Sequence, residues 1–339
     1  MFTQESFCNA IWGTTYLKTQ RSYDKSDYAT FSIPKKGGFR ELNYLPQSSK
    51  LFSLQQELLH NLLTRMYLPT CVKGFRKGES YKNFLTPHIG GQYFLRIDIK
   101  DFFPSISEEI IKSELEKHIP FSSKEEATAI IDLITDIVTY NGSLPQGAST
   151  SPAISNIVLA RADQRILKYC QVFGITYTRY ADDLLFSSLN FDFSQKTWFL
   201  KKIRYILRSI KLKINYSKIK YGTKEISLNG YVISCAETRL SRKRLSDIRH
   251  VLSSMQQNVR ILADSGEQAF LNAINSLPLQ HRDLTRYPFT SLYLLLQYLC
   301  GYRAFLISWI DNNNRTSFQK ELSHLIGRIE KTILQFTQQ

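Results

Sequence analysis

Residues 177–187 read YTRYADDLLFS, and this stretch decides how the rest of the chain is interpreted. Apolar and β-branched residues stand on both sides of Ala181-Asp182-Asp183, a pattern that predicts two short strands over 175–188 joined in a hairpin. The two carboxylates then lie at the tip of that hairpin. An Asp-Asp pair alone is more often a solvated turn than a functional site, so its meaning depends on what accompanies it.

A third aspartate ends another predicted strand. The segment 93–99, YFLRIDI, alternates in polarity and then breaks after Asp98. Carboxylate oxygens are hard ligands suited to Mg²⁺, and two Mg²⁺ ions about 3.5–4 Å apart can activate an attacking hydroxyl and stabilise a leaving pyrophosphate. Such a site needs carboxylates from separate strand ends on one ledge. Asp98, Asp182 and Asp183 are therefore the candidate catalytic residues and the candidate ligands of two Mg²⁺ ions.

The rest of the chain alternates between helix and strand signals, without repeats or a linker. Helical spacing and capping signals predict helices over 51–68, 105–119, 123–140, 151–169 and 194–210, and a strand over 226–234. From Ser241 onward the pattern is helical, with one apolar face formed by Leu245, Ile248, Leu252, Met255 and Val259. We therefore predict an α+β catalytic body followed by a helical C-terminal part.

The charge is distributed unevenly along the chain. The 339 residues include 44 Lys and Arg against 29 Asp and Glu, and the net charge is +2 over residues 1–200 but +13 over residues 201–339. A basic C-terminal part predicts an anionic partner, either nucleic acid or a membrane surface, and a face that only aids solubility is the alternative. The length and the 43% hydrophobic residues exclude a disordered chain and a disulfide mini-protein.

Several features predict a cytoplasmic protein that does not act on membranes. The N-terminus lacks the charged region and apolar run of a signal peptide. The five cysteines are scattered without a CxxC pair and are expected to be reduced thiols. The apolar segment 292–310 contains Gln297 and Arg303, and one Arg in the middle of a spanning helix costs about 2.5–3.5 kcal/mol. We expect a buried helix there.

Three segments resemble the motifs of bacterial reverse transcriptases, especially those of retrons. They are RIDIKDFFPSI at 96–106, LPQGASTSPAISN at 144–156 and YTRYADDLLFS at 177–187, and their order and spacing also fit. The resemblance runs from about residue 35 to about residue 234 and implies a right-hand polymerase fold with fingers, an antiparallel-sheet palm and a helical thumb. It places N-terminal helices and fingers at 1–95, the palm at 96–235 with a helical finger insertion at about 107–143, and a basic thumb at 236–339.

The resemblance also implies a function. It predicts an RNA-directed DNA polymerase that uses two Mg²⁺ ions and dNTPs to copy a noncoding RNA template into an RNA/DNA hybrid, in a retron-like antiphage defence system with an effector protein. An RNA-binding scaffold or antitoxin subunit derived from a reverse transcriptase is one alternative, and a non-retron defence reverse transcriptase is another. The chain departs from the retron pattern in two elements linked to use of the dedicated RNA. It has FLTPH at 84–88 in place of Asn-Ala-x-x-His, and Leu228-Asn229-Gly230 in place of Val-Thr-Gly.

Residues that bind the incoming nucleotide follow from the same resemblance. The segment 33–46, IPKKGGFRELNYLP, is similar to the fingers hairpin that grips the triphosphate, which points to Lys36 and Arg40. Arg40 would offer a planar fork to phosphate oxygens and Lys36 a point charge. Phe103, five residues after Asp98, stands where such enzymes place an aromatic ring against the sugar, and its ring would exclude a 2′-hydroxyl.

Other positions are expected near the base pair and the leaving group. Gln146 and Gly147 lie in the loop expected to pass the templating pair, where glycine lets the backbone approach the nucleotide. The segment 212–221, LKINYSKIKY, makes Lys218 the candidate for the leaving phosphate. Tyr180 and Gly230 are the candidate contacts to the primer strand, and the resemblance makes 228–233 a strand turn with Gly230 at its bend.

The first thumb helix is expected to follow the template–primer duplex. Ser241 can cap this helix, and three cations then stand in its first turn, where they oppose the helix dipole and are unfavourable for stability. Phosphate binding explains them better than folding does. The predicted nucleic-acid contacts here are Arg242, Lys243, Arg244 and Arg249.

Overall fold

The computed structural model describes residues 1–20, 22–35, 38–279, 284–311 and 316–337. Lys36, a predicted triphosphate contact, lies outside the described residues. The chain divides into two compact units. The first unit consists of Met1–Glu225 and Ser234–Ala236, and the second consists of Ile226–Ile233 and Glu237–Gln339. The predicted limits of fingers, palm and thumb stay a prediction.

Four of the helices in the first unit begin with a side-chain cap. Side chains of Thr3, Ser49, Ser80 and Ser123 each accept a hydrogen bond from a backbone N–H of the first turn. The predicted helices over 51–68 and 105–119 are shorter than expected, because a 3₁₀ turn at Leu63–Arg65 and a loop replace their ends. The helices are α1 (Gln4–Trp12), α2 (Tyr16–Gln20), α3 (Lys50–Asn61), α4 (Tyr81–Leu85), α5 (Glu108–Leu115), α6 (Lys124–Val138), α7 (Ser151–Val172) and α8 (Thr197–Arg208).

Two antiparallel sheets accompany these helices. Strands β1 (Ala29–Lys35) and β2 (Gly38–Tyr44) form a separate hairpin. The central sheet has the order β4-β5-β3-β6, formed by β3 (Tyr93–Asp98), β4 (Thr176–Tyr180), β5 (Asp183–Ser188) and β6 (Lys220–Thr223). The predicted hairpin over 175–188 is therefore confirmed. Apolar side chains of this sheet and of α3, α5, α6, α7 and α8 share one buried core.

The second unit begins with a small sheet in the order β7-β8-β9, formed by β7 (Glu225–Leu228), β8 (Tyr231–Ser234) and β9 (Thr238–Leu240). The strand-like segment 226–234 is two strands, β7 and β8, which turn at Asn229 and Gly230, where the resemblance implied a bend. Asn229 and Gly230 both have positive φ, 48° and 86°, and two such residues make the tight turn that joins paired strands.

Four helices follow in the described part of the second unit: α9 (Arg242–Gln257), α10 (Val259–Asn275), α11 (Leu292–Ile307) and α12 (Ser317–Thr337). The Ser241 hydroxyl accepts a hydrogen bond from the N–H of Arg244, which confirms the predicted cap. The expectation that α11 is a buried helix holds for one face only, because Tyr293 and Leu294 are exposed. Within the described residues, the search for a helix of sufficient length and apolar character to cross a membrane finds none.

Candidate active site

The three predicted carboxylates lie at one end of two neighbouring strands. Asp98 is the last residue of β3, and the antiparallel register pairs it directly with Asp183, the first residue of β5. Ala181 and Asp182 form the turn between β4 and β5, and the N–H of Ile99 donates to the carbonyl of Asp182 at 3.0 Å. The fold therefore brings together residues that are far apart in sequence.

Asp98 has one partnered and one unpartnered oxygen. The residue is only 2% exposed, and its Oδ2 accepts a hydrogen bond from Nζ of Lys218 at 3.0 Å. Its Oδ1 is buried and has no hydrogen-bond partner within the described part of the chain. Buried polar atoms are nearly always hydrogen-bonded, so an unpartnered carboxylate oxygen indicates a place for a ligand that is not protein.

Asp182 is a weaker acid than an ordinary aspartate. Burial, and then the charges of Asp183 and Asp98, raise the pKa of Asp182 from 3.8 to about 6, against a smaller lowering effect of Lys218. Desolvation and two neighbouring carboxylates oppose the charged form of Asp182, and a cation bound beside it would offset that repulsion.

Asp183 is held by an arginine from the neighbouring strand. Arg96 of β3 donates to it from Nε to Oδ1 at 2.7 Å and from Nη2 to Oδ2 at 2.8 Å, and both side chains are buried. Within the described residues, no three His, Cys, Asp or Glu side chains are grouped so that they could hold a metal ion. The donor chemistry nevertheless fits a divalent cation, because hard oxygens with an unpartnered Oδ1 of Asp98 are what Mg²⁺ binds.

The turn that carries Asp182 is strained, and neighbouring residues hold it in place. Ala181 has φ of 55°, a conformation that residues other than glycine rarely adopt. Nη1 of Arg179 donates to its carbonyl at 3.0 Å. Gly74 lies directly against the turn, since a Cβ on Gly74 would stand 2.6 Å from the nitrogen of Ala181. The turn can take this shape because Arg179 holds the carbonyl of Ala181 and Gly74 leaves room for the backbone of Ala181.

Arg179 belongs to a buried polar network that sequence reasoning missed. Its guanidinium is fully buried, donates from Nη2 to Oδ2 of Asp163 at 2.7 Å, and donates from Nη1 to Oδ1 of Asn156 at 3.1 Å. The amide of Asn156 donates in turn to the carbonyl of Gly74 at 2.9 Å. The hydroxyl of Tyr177 donates to Asp163 at 2.7 Å. The signal in the sequence was Arg179, a cation in the middle of an otherwise apolar strand. The spacing of residues cannot reveal that its partner is Asp163 on α7.

Aromatic rings surround the predicted sugar contact. Phe103 is half-buried beside Phe102, with ring centroids 5.1 Å apart, and Phe102 belongs to the core. Phe75 was not predicted and has φ of 57° while 46% exposed. Its ring lies 6.3 Å from that of Phe103 and 6.2 Å from that of Tyr180. Phe75 thus connects the predicted sugar contact with the predicted primer contact.

The loop with Gln146 and Gly147 contacts the fingers hairpin. The N–H of Asn43 in β2 donates to the carbonyl of Gln146 at 2.7 Å. Gly147 has φ of 123°, and a Cβ there would lie 2.8 Å from the carbonyl oxygen of Asn43. The glycine is therefore required by the approach of two protein segments, whereas the sequence had suggested an approach to the nucleotide. Arg40, on the same strand as Asn43, is exposed.

The predicted thumb contacts fall into two groups. Arg242 and Lys243 are exposed, and neither has an ion-pair partner in the described part of the chain. Arg244 instead lies over the ring of Tyr231 at 4.6 Å and donates to the carbonyl of Asn229 at 3.3 Å. Arg249 forms an ion pair with Glu321. A Cβ on Gly230 would meet the side chain of Arg244 at 3.2 Å.

His88, the retained histidine of the FLTPH segment, is fully buried. Its two ring nitrogens form hydrogen bonds with Ser187 at 2.8 Å and Thr178 at 2.7 Å, and burial lowers its pKa to about 3. The neutral ring therefore joins β4 to β5 and contacts no solvent. The sequence had associated this element with use of an RNA, and the structure places its histidine in the interior.

Comparison with known proteins defines the class of this protein. The family model described as "Reverse transcriptase (RNA-dependent DNA polymerase)" matches residues 33–233, more than half of the chain. The retron Ec86 reverse transcriptase of Escherichia coli is 31% identical over 271 residues, which cover 77% of this chain and 80% of that protein. The retron Mx65 reverse transcriptase of Myxococcus xanthus is 36% identical over 47% of this chain and 40% of its own length.

The chain therefore belongs to the retron-type reverse transcriptases, which are RNA-directed DNA polymerases. The predicted family, α+β polymerase fold and enzyme class are confirmed, despite the two departures from the retron pattern. Such enzymes act with divalent metal on a nucleic-acid template and dNTPs. Among solved structures, a telomerase from Candida albicans in complex with a telomeric RNA fragment is similar in fold, with a TM-score of 0.46 and 14% sequence identity. The match covers 92% of this chain and 64% of the telomerase chain.

Proposed function

We propose that this protein copies a noncoding RNA into DNA at a site formed by Asp98, Asp182 and Asp183, which bind two Mg²⁺ ions. The observation that carries this proposal is the direct pairing of Asp98 with Asp183 beside the desolvated Asp182. The unpartnered Oδ1 of Asp98 is a ligand available to metal. When bound, the ions would activate the primer hydroxyl and stabilise the leaving pyrophosphate.

The side chains around the carboxylates bind and orient the incoming dNTP. Lys218 is half-exposed at 3.0 Å from Asp98, so its ammonium can reach an anion held at the same carboxylate. Arg40 and Lys36 bind the triphosphate from the fingers, because segment 33–46 resembles the fingers hairpin of reverse transcriptases. The half-buried ring of Phe103 excludes a 2′-hydroxyl, and Phe75 supports that ring from the side.

The remaining predicted residues contact the template and the primer. Gln146 and Gly147 lie near the templating base pair, and Tyr180 and Gly230 contact the primer strand. Arg242, Lys243 and Arg249 contact phosphates of the RNA/DNA hybrid, whereas Arg244 is held by the ring of Tyr231 and the carbonyl of Asn229. We further propose a cytoplasmic, retron-like antiphage role with an effector protein as partner, which rests on the likeness to retron enzymes.

A primer-extension assay tests the polymerase proposal. Purified protein should incorporate dNTPs on an RNA template in the presence of Mg²⁺. Asp182→Asn should lower incorporation by at least about 100-fold, since metal binding supplies several kcal/mol of charge stabilisation and an amide is a poorer ligand. Full activity in Asp182→Asn would contradict the assignment. RNA binding by the unaltered protein without any incorporation would favour the scaffold or antitoxin alternative.

Thermal unfolding in EDTA provides the folding control for that variant. Because the pKa of Asp182 is raised from 3.8 to about 6, ionised Asp182 destabilises the folded protein above about pH 6, and this cost declines as the pH falls toward 4. Asp182→Asn should therefore be more stable than the unaltered protein by about 1–2 kcal/mol at pH 7.5. The difference should shrink at pH 4.5. Loss of activity without loss of stability then reports chemistry and not misfolding.

A second assay tests the sugar contact. Phe103→Val should increase incorporation of ribonucleotides relative to deoxynucleotides by about 10-fold or more, because the ring that excludes the 2′-hydroxyl is shortened. Tyr67→Val is a matched control, since Tyr67 is an exposed aromatic outside this cluster. Equal use of both sugars by the unaltered enzyme would show that Phe103 does not discriminate between them.

A further inference from the structure

One part of the first unit is basic without any compensating acid. Residues 193–224 contain ten Lys and Arg and no Asp or Glu, whereas the first 200 residues are nearly neutral as a whole. This segment holds α8, β6 and the turn that carries Lys218. An anionic partner is the simplest reason to concentrate so much positive charge on a catalytic body.

Helix α8 separates this charge onto one face. Its buried side consists of Phe199, Ile203, Ile206 and Leu207, which pack into the core of the first unit. Its outward side repeats at helical spacing and combines cations with aromatic rings. The outward residues are Trp198, Lys201, Lys202, Tyr205 and Arg208. We call these five residues the α8 face.

The aromatic members of the α8 face distinguish it from a solvated basic helix. Trp198 is 41% exposed and Tyr205 is 63% exposed, and Nζ of Lys202 lies 5.4 Å from the centre of the Tyr205 ring. The ring of Trp198 also packs against Phe173 and Phe191, whereas Tyr205 keeps most of its ring in solvent. Cations along a surface bind phosphates, and interleaved rings stack on unpaired bases, which is how proteins bind single strands without sequence preference.

A chain of contacts leads from the α8 face to the active site. Nη1 of Arg204, on α8, lies 3.4 Å from the hydroxyl of Tyr216, which is itself 55% exposed. Two residues further along the chain, Lys218 forms its ion pair with Asp98. The exposed cations and rings therefore continue from the catalytic carboxylates to the outer surface of α8.

The cations of the α8 face remain available for a ligand. Nearby acids are already engaged, since Glu109 pairs with Lys211 and Glu114 pairs with Lys117. Within the described residues, Lys201 and Arg208 have no ion-pair partner.

We propose that the α8 face is a binding surface for single-stranded RNA, which holds the template strand outside the active site. This inference rests on the proposed function, because it assigns the path of the RNA that the enzyme copies. The surface would bind phosphates through Lys201, Lys202 and Arg208 and stack bases on Trp198 and Tyr205. It would act without sequence preference.

The test measures binding of a 20-nucleotide single-stranded RNA by fluorescence anisotropy over a range of KCl, in EDTA and without dNTPs. The variant Lys201→Gln/Lys202→Gln/Arg208→Gln should reduce the slope of log K against log salt by about 2, since each lost phosphate contact on a single strand contributes about 0.7. The variant Lys18→Gln/Lys50→Gln/Arg65→Gln removes three exposed cations elsewhere on the first unit and should leave the slope unchanged.

A second variant tests the aromatic rings. Trp198→Ala/Tyr205→Ala should weaken RNA binding by about fivefold or more while keeping the salt slope, because stacking contributes about 1–3 kcal/mol per base. Equal slopes for the two cation variants would overturn the proposal. An equal loss, in the α8-face cation variant, of binding to duplex DNA or to anionic phospholipid vesicles would also overturn it, because the surface would then not select single-stranded RNA. Because the assay contains no metal or dNTP, its failure is distinct from a failure of primer extension.

Discussion

Two tight turns of this protein, one in each unit, are held by an arginine, and the two arginines do so by different means. Arg179 donates to the carbonyl of Ala181 in the turn that carries Asp182, and it is fully buried against Asp163. Arg244 donates to the carbonyl of Asn229 in the β7–β8 turn, but it is half-exposed and lies over an aromatic ring.

The two turns differ in how much support they need. A buried guanidinium is costly to desolvate, and it is tolerated when paired and fully hydrogen-bonded, as Arg179 is. That arrangement fixes the strained Ala181 in a single position. A guanidinium over an aromatic face contributes about 0.5–1 kcal/mol at an exposed site and keeps its contact with water. Asn229 and Gly230 need less support, because both residue types adopt positive φ readily.

The largest expected effect that follows from this comparison comes from removing Arg179. Arg179→Met should lower the free energy of unfolding by about 3–5 kcal/mol, because it leaves Asp163 buried without its partner. Chemical denaturation measures this loss. A loss below about 1 kcal/mol would show that Asp163 is neutralised in another way.

A double variant separates the fold from the catalytic turn. Arg179→Met combined with Asp163→Leu replaces the buried ion pair by apolar side chains and should recover most of the lost stability. It should not recover primer extension, because the carbonyl of Ala181 still lacks its donor. If activity returns together with stability, Arg179 supports the fold without positioning Asp182.

The same contrast explains which parts of the structure the sequence could predict. The hairpin at 177–187 and the strand that ends at Asp98 follow from local alternation and turn residues, so Asp98, Asp182 and Asp183 could be placed together from sequence. The turn between β7 and β8 was also predictable, because Asn229 and Gly230 interrupt the strand pattern and the resemblance implied a bend at Gly230.

Partnerships between distant residues could not be predicted. Nothing in the spacing indicates that Arg96 holds Asp183, that Asp163 holds Arg179, or that Gly147 is required by its approach to β2. These contacts depend on tertiary packing. Arg244 shows the same limit, since its residue type suggested a phosphate contact while its surroundings provide a ring and a carbonyl.

Within α9, Arg244 and the pair Arg242 and Lys243 are expected to have opposite and smaller effects. Arg244→Gln should lower the stability of the protein by about 1 kcal/mol, since it removes the contact with Tyr231 and the bond to Asn229. It should leave the salt dependence of duplex binding unchanged. Arg242→Gln/Lys243→Gln should do the reverse. This pair is exposed in the first turn of the helix, where cations oppose the dipole, so stability should stay constant or rise by a few tenths of a kcal/mol.

Binding of an RNA/DNA hybrid at several salt concentrations, together with thermal unfolding, measures both quantities for both variants. Removal of two phosphate contacts should reduce the slope of log K against log salt by about 1.5, at about 0.7–0.9 for each contact. If Arg244→Gln reduces the slope as much as one member of the pair does, Arg244 leaves its aromatic ring to bind phosphate. If Arg242→Gln/Lys243→Gln has no effect on the slope, the hybrid does not follow α9, and the two exposed cations serve solubility alone.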